Sequence, residues 1–460
     1  MRGAGVGDGL GDGSGVGEAV WANASSGNFE TPRPAAPSAG RSFTNVRLAT
    51  VVLLLWVLEI LFFFMIVYKV SRKGAKTQSK SLFPLRLCAF AGKLLSLTTM
   101  IQRHAEITTE GIKYAGSKLK LLPHILRLAQ KTKPQTIFDG FSGTTRVSQA
   151  LAQAGYRVIV NDIAAWSKAF GDCYLTSPFP REHYSELIEH LNAIPGRHGW
   201  FTEHYGGDPQ GSNSFKKPWQ LHNTVKLDAI REEIEHLSLT ADEKAVALTS
   251  LILAMDGVDS TLGHYASYLN EWSPRSYRQI LLKIPKLISK AHENEVHQAD
   301  VFDLASSIDA DLAYYDPPYG SNNDKMPPSR VRYAAYYHLW TSICLFDKPE
   351  LFGKAKRRGD SSDALSASVF ENYRRNDAGR FIAVEAIERL LRQTRTPHII
   401  LSYSSGGRAT AEDIRGTLGI ERQPHARETS AVRDNHTADA VSSRNGKYAR
   451  RRHARHGQII

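Results

Sequence analysis

Short apolar runs that stop at an acid recur along the middle of the chain. Thr136-Ile137-Phe138 stops at Asp139, Arg157-Val158-Ile159-Val160 at Asn161-Asp162, and Leu312-Ala313-Tyr314-Tyr315 at Asp316; the stretch from Val296 to Asp300 ends the same way. Runs of this length without polar alternation predict strands covered on both faces, as in a parallel sheet. His398 to Tyr403 is a further strand. Helical spacing fills the intervals: one amphipathic helix runs to about Lys131, another passes through Ala150, Leu151 and Ala154 to close at Gly155, and Ile382 to Thr394 precedes the last strand. Strands alternating with helices predict an open α/β sheet whose chemistry lies at the carboxyl ends of its strands.

Residues 170–295 interrupt this alternation. They read as helical over Tyr184 to Leu191, Thr224 to Leu237 and Ala241 to Met255, with His264, Tyr265 and Tyr268 on a later helix and a polar loop from Gly206 to Pro218. Arg330 to Leu345 is tyrosine-rich and helical in pattern, and Lys354 to Arg358 is a short basic loop. The α/β texture thus occupies 106–169 and 296–420, on either side of an insert. Residues 1–45 are rich in Gly, Ala and Ser, and residues 421–460 in Arg, His and Ala; neither tail carries the periodicity of a packed structure.

The stretch 46–73 is different. Leu48 to Val70 is almost wholly apolar and is followed by Arg72, Lys73, Lys76 and Lys80. Its length matches the roughly 20 residues that cross a bilayer, with the basic cluster on the cytoplasmic side. Two readings stay open: a membrane anchor with the rest of the chain on the cytoplasmic side, or a mistranslated upstream stretch with Met100 as the true start. Glu59 at mid-span favours the second, and with it a cytoplasmic protein.

Composition narrows the picture less than pattern does. The net charge of +12 suits a polyanionic partner, but much of the excess sits in the tails. Three cysteines, Cys88, Cys173 and Cys344, lie far apart without metal-ligand spacing, so neither a zinc site nor a disulfide framework is indicated.

The candidate chemistry lies in Asp316-Pro317-Pro318-Tyr319. Two prolines end the strand and stiffen the loop. The Asp316 carboxylate and the Pro317 carbonyl are two acceptors for the N–H bonds of a planar exocyclic amine, which otherwise holds its lone pair in conjugation. Pro318 keeps the loop rigid, and Tyr319 offers a face for an extruded base. Upstream, Phe138-Asp139-Gly140 opens a glycine turn that reaches Gly143, and Asp162 follows about twenty residues on, where an acid can grip ribose hydroxyls. The GxxG spacing suits a nucleoside without a pyrophosphate. Tyr114 and Lys118 flank a small-residue turn before the first helix, where a lysine beside a helix amino terminus can seat a carboxylate. Lys216 and Lys217 beside Trp219, and Arg408 after Ser404-Ser405-Gly406-Gly407, are candidate DNA contacts; an ordinary solvated loop and a surface turn fit them equally.

In this order, the lysine-bearing motif, Asp139 to Gly143, the insert and Asp316 to Tyr319 resemble the N6-adenine DNA methyltransferases of bacterial restriction-modification systems, in their alpha arrangement. The likeness covers about residues 111–420. It implies a Rossmann-like S-adenosylmethionine-dependent methyltransferase core of α/β class with a mostly helical target-recognition insert. It also implies S-adenosyl-L-methionine as donor and adenine in duplex DNA as acceptor, with Tyr114 and Lys118 at the methionine end, Phe138, Asp139, Gly140 and Gly143 lining the donor by backbone, Asp162 on its ribose and Asp300 near its adenine. No metal is implied. A cognate restriction endonuclease and a monomeric state are further expectations. Family members usually finish with more apolar strands than Glu421 to Ile460 offers, which suggests a frameshift or truncation near Ile420 and a bare sheet edge. The alternatives are an RNA or protein-amide methyltransferase, against which Asp316 and the large insert weigh, and a non-catalytic DNA-binding remnant.

Overall fold

Parallel strands meet the expectation of an open sheet. The first two are β1 (Thr136–Asp139) and β2 (Arg157–Asn161), followed by a two-stranded pair within the insert, β3 (Gly206–Gly207) and β4 (Trp219–Gln220). Then come β5 (Glu295–His297), β6 (Leu312–Tyr315), the hairpin of β7 (Leu351–Phe352) and β8 (Arg357–Arg358), β9 (His398–Ser404) and β10 (Gly457–Ile459). The sheet runs β10-β9-β6-β1-β2-β5, parallel throughout except for β10. Ile137 sits opposite both Val158 and Leu312, so the carboxyl ends of β1, β2 and β6 lie at one edge. These features belong to a computed structural model. It describes residues 107–459 apart from 212–216, 289–291, 320–332, 363–367, 405 and 418–456. The chain divides at Ala89 and Phe90 into two units, and every described residue lies in the second.

Alternation along the strands explains why the runs lack polar residues. Ile137, Val158, Val160, Leu312 and Tyr314 join one buried cluster, while Phe138, Ile159, Ala313 and Tyr315 join another on the opposite face. The first face is covered by α1 (Leu122–Thr132), α2 (Arg146–Gln153) and α3 (Ala165–Gly171), which contribute Ile125, Leu151 and Phe170. The insert then supplies α4 (Ser185–Ala193), α5 (Trp200–Tyr205), α6 (Leu221–His236) and α7 (Ala241–Gly257). A capping box of Thr240 and Glu243 starts α7, which packs against α3 and places Leu251, Ile252 and Met255 in the same cluster as the sheet. After β5, α8 (Val301–Ala305) leads to β6, and α9 (Tyr333–Tyr336) and α10 (His338–Leu345) divide the tyrosine-rich stretch in two. The opposite face is covered by α11 (Ile382–Gln393), through Val384, Ile387 and Leu390; α12 (Ala411–Thr417) follows β9.

Two expectations change. His264, Tyr265 and Tyr268 do not lie on a helix: residues 258–273 form bends, Gly263 has φ +94°, and the Tyr265 N–H donates to the Tyr336 carbonyl at 2.8 Å instead of to its own segment. The tail is not without structure throughout, because Gly457–Ile459 pairs antiparallel with Ser402 to Ser404. An open edge offers backbone N–H and C=O groups to any extended segment, whatever its side chains. Lys354 to Arg358, read as a basic loop, ends in the β7–β8 hairpin. The tail 1–45, the apolar stretch 46–73 and Met100 lie outside the described residues, among which no helix is long and apolar enough to cross a membrane.

Candidate active site

The carboxyl ends of β1 and β6 open onto a cavity of 660 Å³, which the segment 114–118 borders. Asp316 leaves β6 directly into it. Its Oδ2 lies 2.5 Å from Lys118 Nζ, which also donates to the Gly116 carbonyl at 2.9 Å. Its Oδ1 is buried with no hydrogen-bond partner among the described residues. One oxygen of the carboxylate is therefore held by a cation, and the other keeps unused acceptor capacity. Burial raises the Asp316 carboxyl above its usual range and the Lys118 ammonium opposes that rise. For Lys118, burial acts downward, but the charge and hydrogen bond of Asp316 outweigh it, so the ammonium stays charged.

Pro318 lines the cavity. Pro317 and Tyr319 are not among the lining residues; the Tyr319 ring meets Tyr403 edge-on at 5.6 Å and lies 5.7 Å from Lys118 Nζ.

Asp139 ends β1 fully buried. Its Oδ2 accepts from Ser148 Oγ at 2.5 Å, while its Oδ1 has no partner. Burial pushes this carboxyl up to about 7. Gly140 follows where no side chain fits, since a Cβ there would fall 2.6 Å from the Tyr315 ring. Gly143 donates its N–H to Asp162 Oδ2 at 2.8 Å, and Ala164 donates to Asp162 Oδ1 at 2.9 Å. The Ile163 N–H and the Ser167 hydroxyl also donate to this carboxylate, whose pKa burial raises. Asp300 lines the cavity and caps α8, accepting from the Phe302 N–H at 2.9 Å. Phe138, expected to line the donor by backbone, is not among the lining residues; its ring packs in the second core cluster, edge-on to Tyr315 at 6.0 Å, because successive strand residues face opposite sides of the sheet.

Tyr114 lines the cavity within an aromatic group that sequence reasoning missed. Its ring stacks on Tyr337 at 4.7 Å and tilts against Trp166 at 5.8 Å and Tyr333 at 5.5 Å. Gly116, at φ +102°, turns beneath Tyr333, whose hydroxyl would stand 2.8 Å from a Cβ. The tyrosine-rich pattern around residue 333 signalled a helix, but not that its rings reach back over two hundred residues.

The candidate DNA contacts fare differently. Arg408 is only 5% exposed; its Nε donates to the Glu371 carbonyl and its guanidinium lies near the Tyr373 and Phe381 rings, so it is no surface phosphate contact. Lys217 is half-buried and donates to the His204 carbonyl at 2.5 Å, which commits part of its ammonium within the fold. Lys216 lies outside the described residues.

Several methylases are similar to this chain. Modification methylase StsI of Streptococcus sanguinis is 27% identical over 327 residues, 67% of this chain and 46% of that protein. Type II methyltransferase M.NlaIII of Neisseria lactamica is 27% identical over 313 residues, 66% of this chain and 86% of that protein. Type II methyltransferase M.FokI of Planomicrobium okeanokoites is 26% identical over 325 residues. The chain thus spans about half the length of StsI and M.FokI and most of M.NlaIII. Residues 114–389, from Tyr114 through Asp139 and Asp316 to the helix behind β6, match one family throughout, and the chain belongs to it: the D12 class N6 adenine-specific DNA methyltransferases.

Proposed function

We propose that the protein transfers a methyl group from S-adenosyl-L-methionine to N6 of adenine at particular sites in duplex DNA. The observation that carries this reading is the split Asp316 carboxylate, one oxygen on Lys118 and the other buried without a partner. An adenine amine is a weak nucleophile while its lone pair is delocalised. Accepting one of its N–H bonds at Asp316 Oδ1 and the other at the Pro317 carbonyl favours the pyramidal nitrogen that can attack. The target base must first leave the duplex, at a cost of a few kcal/mol, and Tyr319 offers it a stacking face.

The residues present fit the donor. Its sulfonium supplies a methyl group already activated for transfer. The unpartnered Asp139 Oδ1 suits an ammonium, and the cavity size suits a nucleoside-bearing ligand. Asp162 would take the ribose hydroxyls and Asp300 would lie toward the adenine. Lys118 spends two of its three N–H bonds on Asp316 and Gly116, which leaves one for the donor's carboxylate. A monomer suffices for this chemistry, and a cognate endonuclease is the companion that the relatives' type II names suggest.

The test is incubation of the purified chain with tritium-labelled donor and, separately, DNA, RNA and protein. Label recovered as N6-methyladenine in DNA is the expected result, and Asp316→Ala removes it. Label in RNA or protein alone would sink the proposal in favour of the corresponding methyltransferase. Donor binding without transfer to any acceptor would favour a non-catalytic remnant.

A further inference from the structure

Four charged side chains meet between the segment that precedes Lys118 and the end of the insert, and methyl transfer itself does not use them. The Asp259 side chain is fully buried. It accepts from Arg275 at 2.5 Å and 2.9 Å, from Lys113 Nζ at 2.8 Å and from Thr261 Oγ1 at 2.6 Å. Asp256, near the end of α7, accepts the Lys113 backbone N–H at 3.2 Å and lies 3.4 Å from its ammonium, which also donates to the Asp256 carbonyl. Two residues on, the Ala115 N–H donates to the Tyr337 hydroxyl at 2.7 Å, and that hydroxyl donates to the Gly263 carbonyl at 3.4 Å.

Two cations face two carboxylates. Asp259 is the fully buried member, and losing Lys113 leaves it with Arg275 as its one remaining cation in the cluster. Lys113 and Ala115, on either side of Tyr114, are thereby fastened to residues 256–263 of the insert. Tyr114 and Lys118 project into the cavity from that fastened segment.

We infer that Lys113 and Asp259 are positioning residues for the methyl donor: through their ion pair the insert sets the placement of Tyr114 and Lys118, so donor affinity depends on the insert. The inference rests on the proposed transfer reading. It also gives DNA seated on the insert a physical route to the donor pocket, since coupling between two sites is reciprocal.

The test uses the full chain carrying Lys113→Met, Lys113→Arg or Asp259→Asn. Donor affinity is measured by calorimetry with S-adenosyl-L-methionine, transfer on unmethylated plasmid DNA, and amide hydrogen exchange on the protein without ligand. Lys113→Met and Asp259→Asn should each weaken donor binding at least tenfold and speed exchange at Lys113 and Ala115 by a similar factor, while β1 keeps its protection. The KM for donor should rise by more than kcat falls, because the cluster reaches the reacting atoms only through Lys118 on Asp316. Lys113→Arg, which keeps the charge, should return affinity to within threefold. Unchanged exchange at residues 113 and 115 overturns the inference, and so does faster exchange with unchanged donor affinity. If the unmodified chain binds no donor, the functional reading fails and takes the inference with it, a result distinct from either of these.

Discussion

Two buried carboxylates sit in one cavity, and their surroundings differ enough to separate their tasks. Asp316 has a cation beside it, whereas Asp139 is pushed up to about 7 by burial, with the Ser148 hydroxyl and the Phe141 backbone N–H opposing that rise. For an acid raised on folding, the native state holds a proton that the unfolded chain has lost. Asp139 therefore takes stability away as pH climbs from near 4 to near 7. Asp139→Asn should flatten that decline in urea titrations and stabilise the chain at pH 8. It should also weaken donor binding, because the donor's ammonium needs the carboxylate. In the parent protein donor affinity should improve as pH rises through 7, a slope that calorimetry should find absent in Asp139→Asn. Asp316→Ala should abolish transfer yet leave donor affinity within a few fold; equal loss of both would place Asp316 in binding instead. The Asp-Pro-Pro-Tyr run was legible because two prolines after an apolar strand mark a strand end locally. The cation on Asp316 was not, because Lys118 arrives from almost two hundred residues away.

Elements were read well where one periodicity ruled and poorly where tertiary contacts replaced local hydrogen bonds. The expected helix at 241–255 is α7, and its Thr240–Glu243 capping box ties the start to local chemistry. Thr240→Ala should cost about 1 kcal/mol in urea unfolding, since it leaves a helix N–H without its acceptor. The 258–273 segment carried aromatic residues at spacings that suit a helix. It forms bends because its polar groups bond to α7, to Tyr336 and within the Asp259 cluster. The glycine turn after β1 is set by contact between strands. Gly140→Ala drives a methyl into the Tyr315 ring and should destabilise by about 1–3 kcal/mol, with donor affinity falling as the turn shifts.

At the scale of the whole molecule, the insert and the sheet share one core. Leu251 and Met255 of α7 lie in the same buried cluster as Ile137, Leu151 and Tyr314. Urea unfolding followed by tryptophan fluorescence and by far-ultraviolet dichroism should therefore give coincident single transitions. Leu251→Ala should cost about 2–5 kcal/mol and shift both together; two separated transitions would show an insert that folds by itself. Apolar runs ended by acids, the glycine turn and their order along the chain were enough to specify an α/β sheet, its reactive edge and the class of chemistry there. Those features depend on backbone period and on residues adjacent in sequence, which a linear text preserves. Folding alone decided that Arg408 is buried against Glu371, that Lys217 bonds to a backbone carbonyl, that the Phe138 ring packs edge-on to Tyr315 and that Lys113 joins the insert to the segment before Lys118. Each of these depends on which distant group arrives opposite a side chain, and no local pattern encodes the identity of that partner.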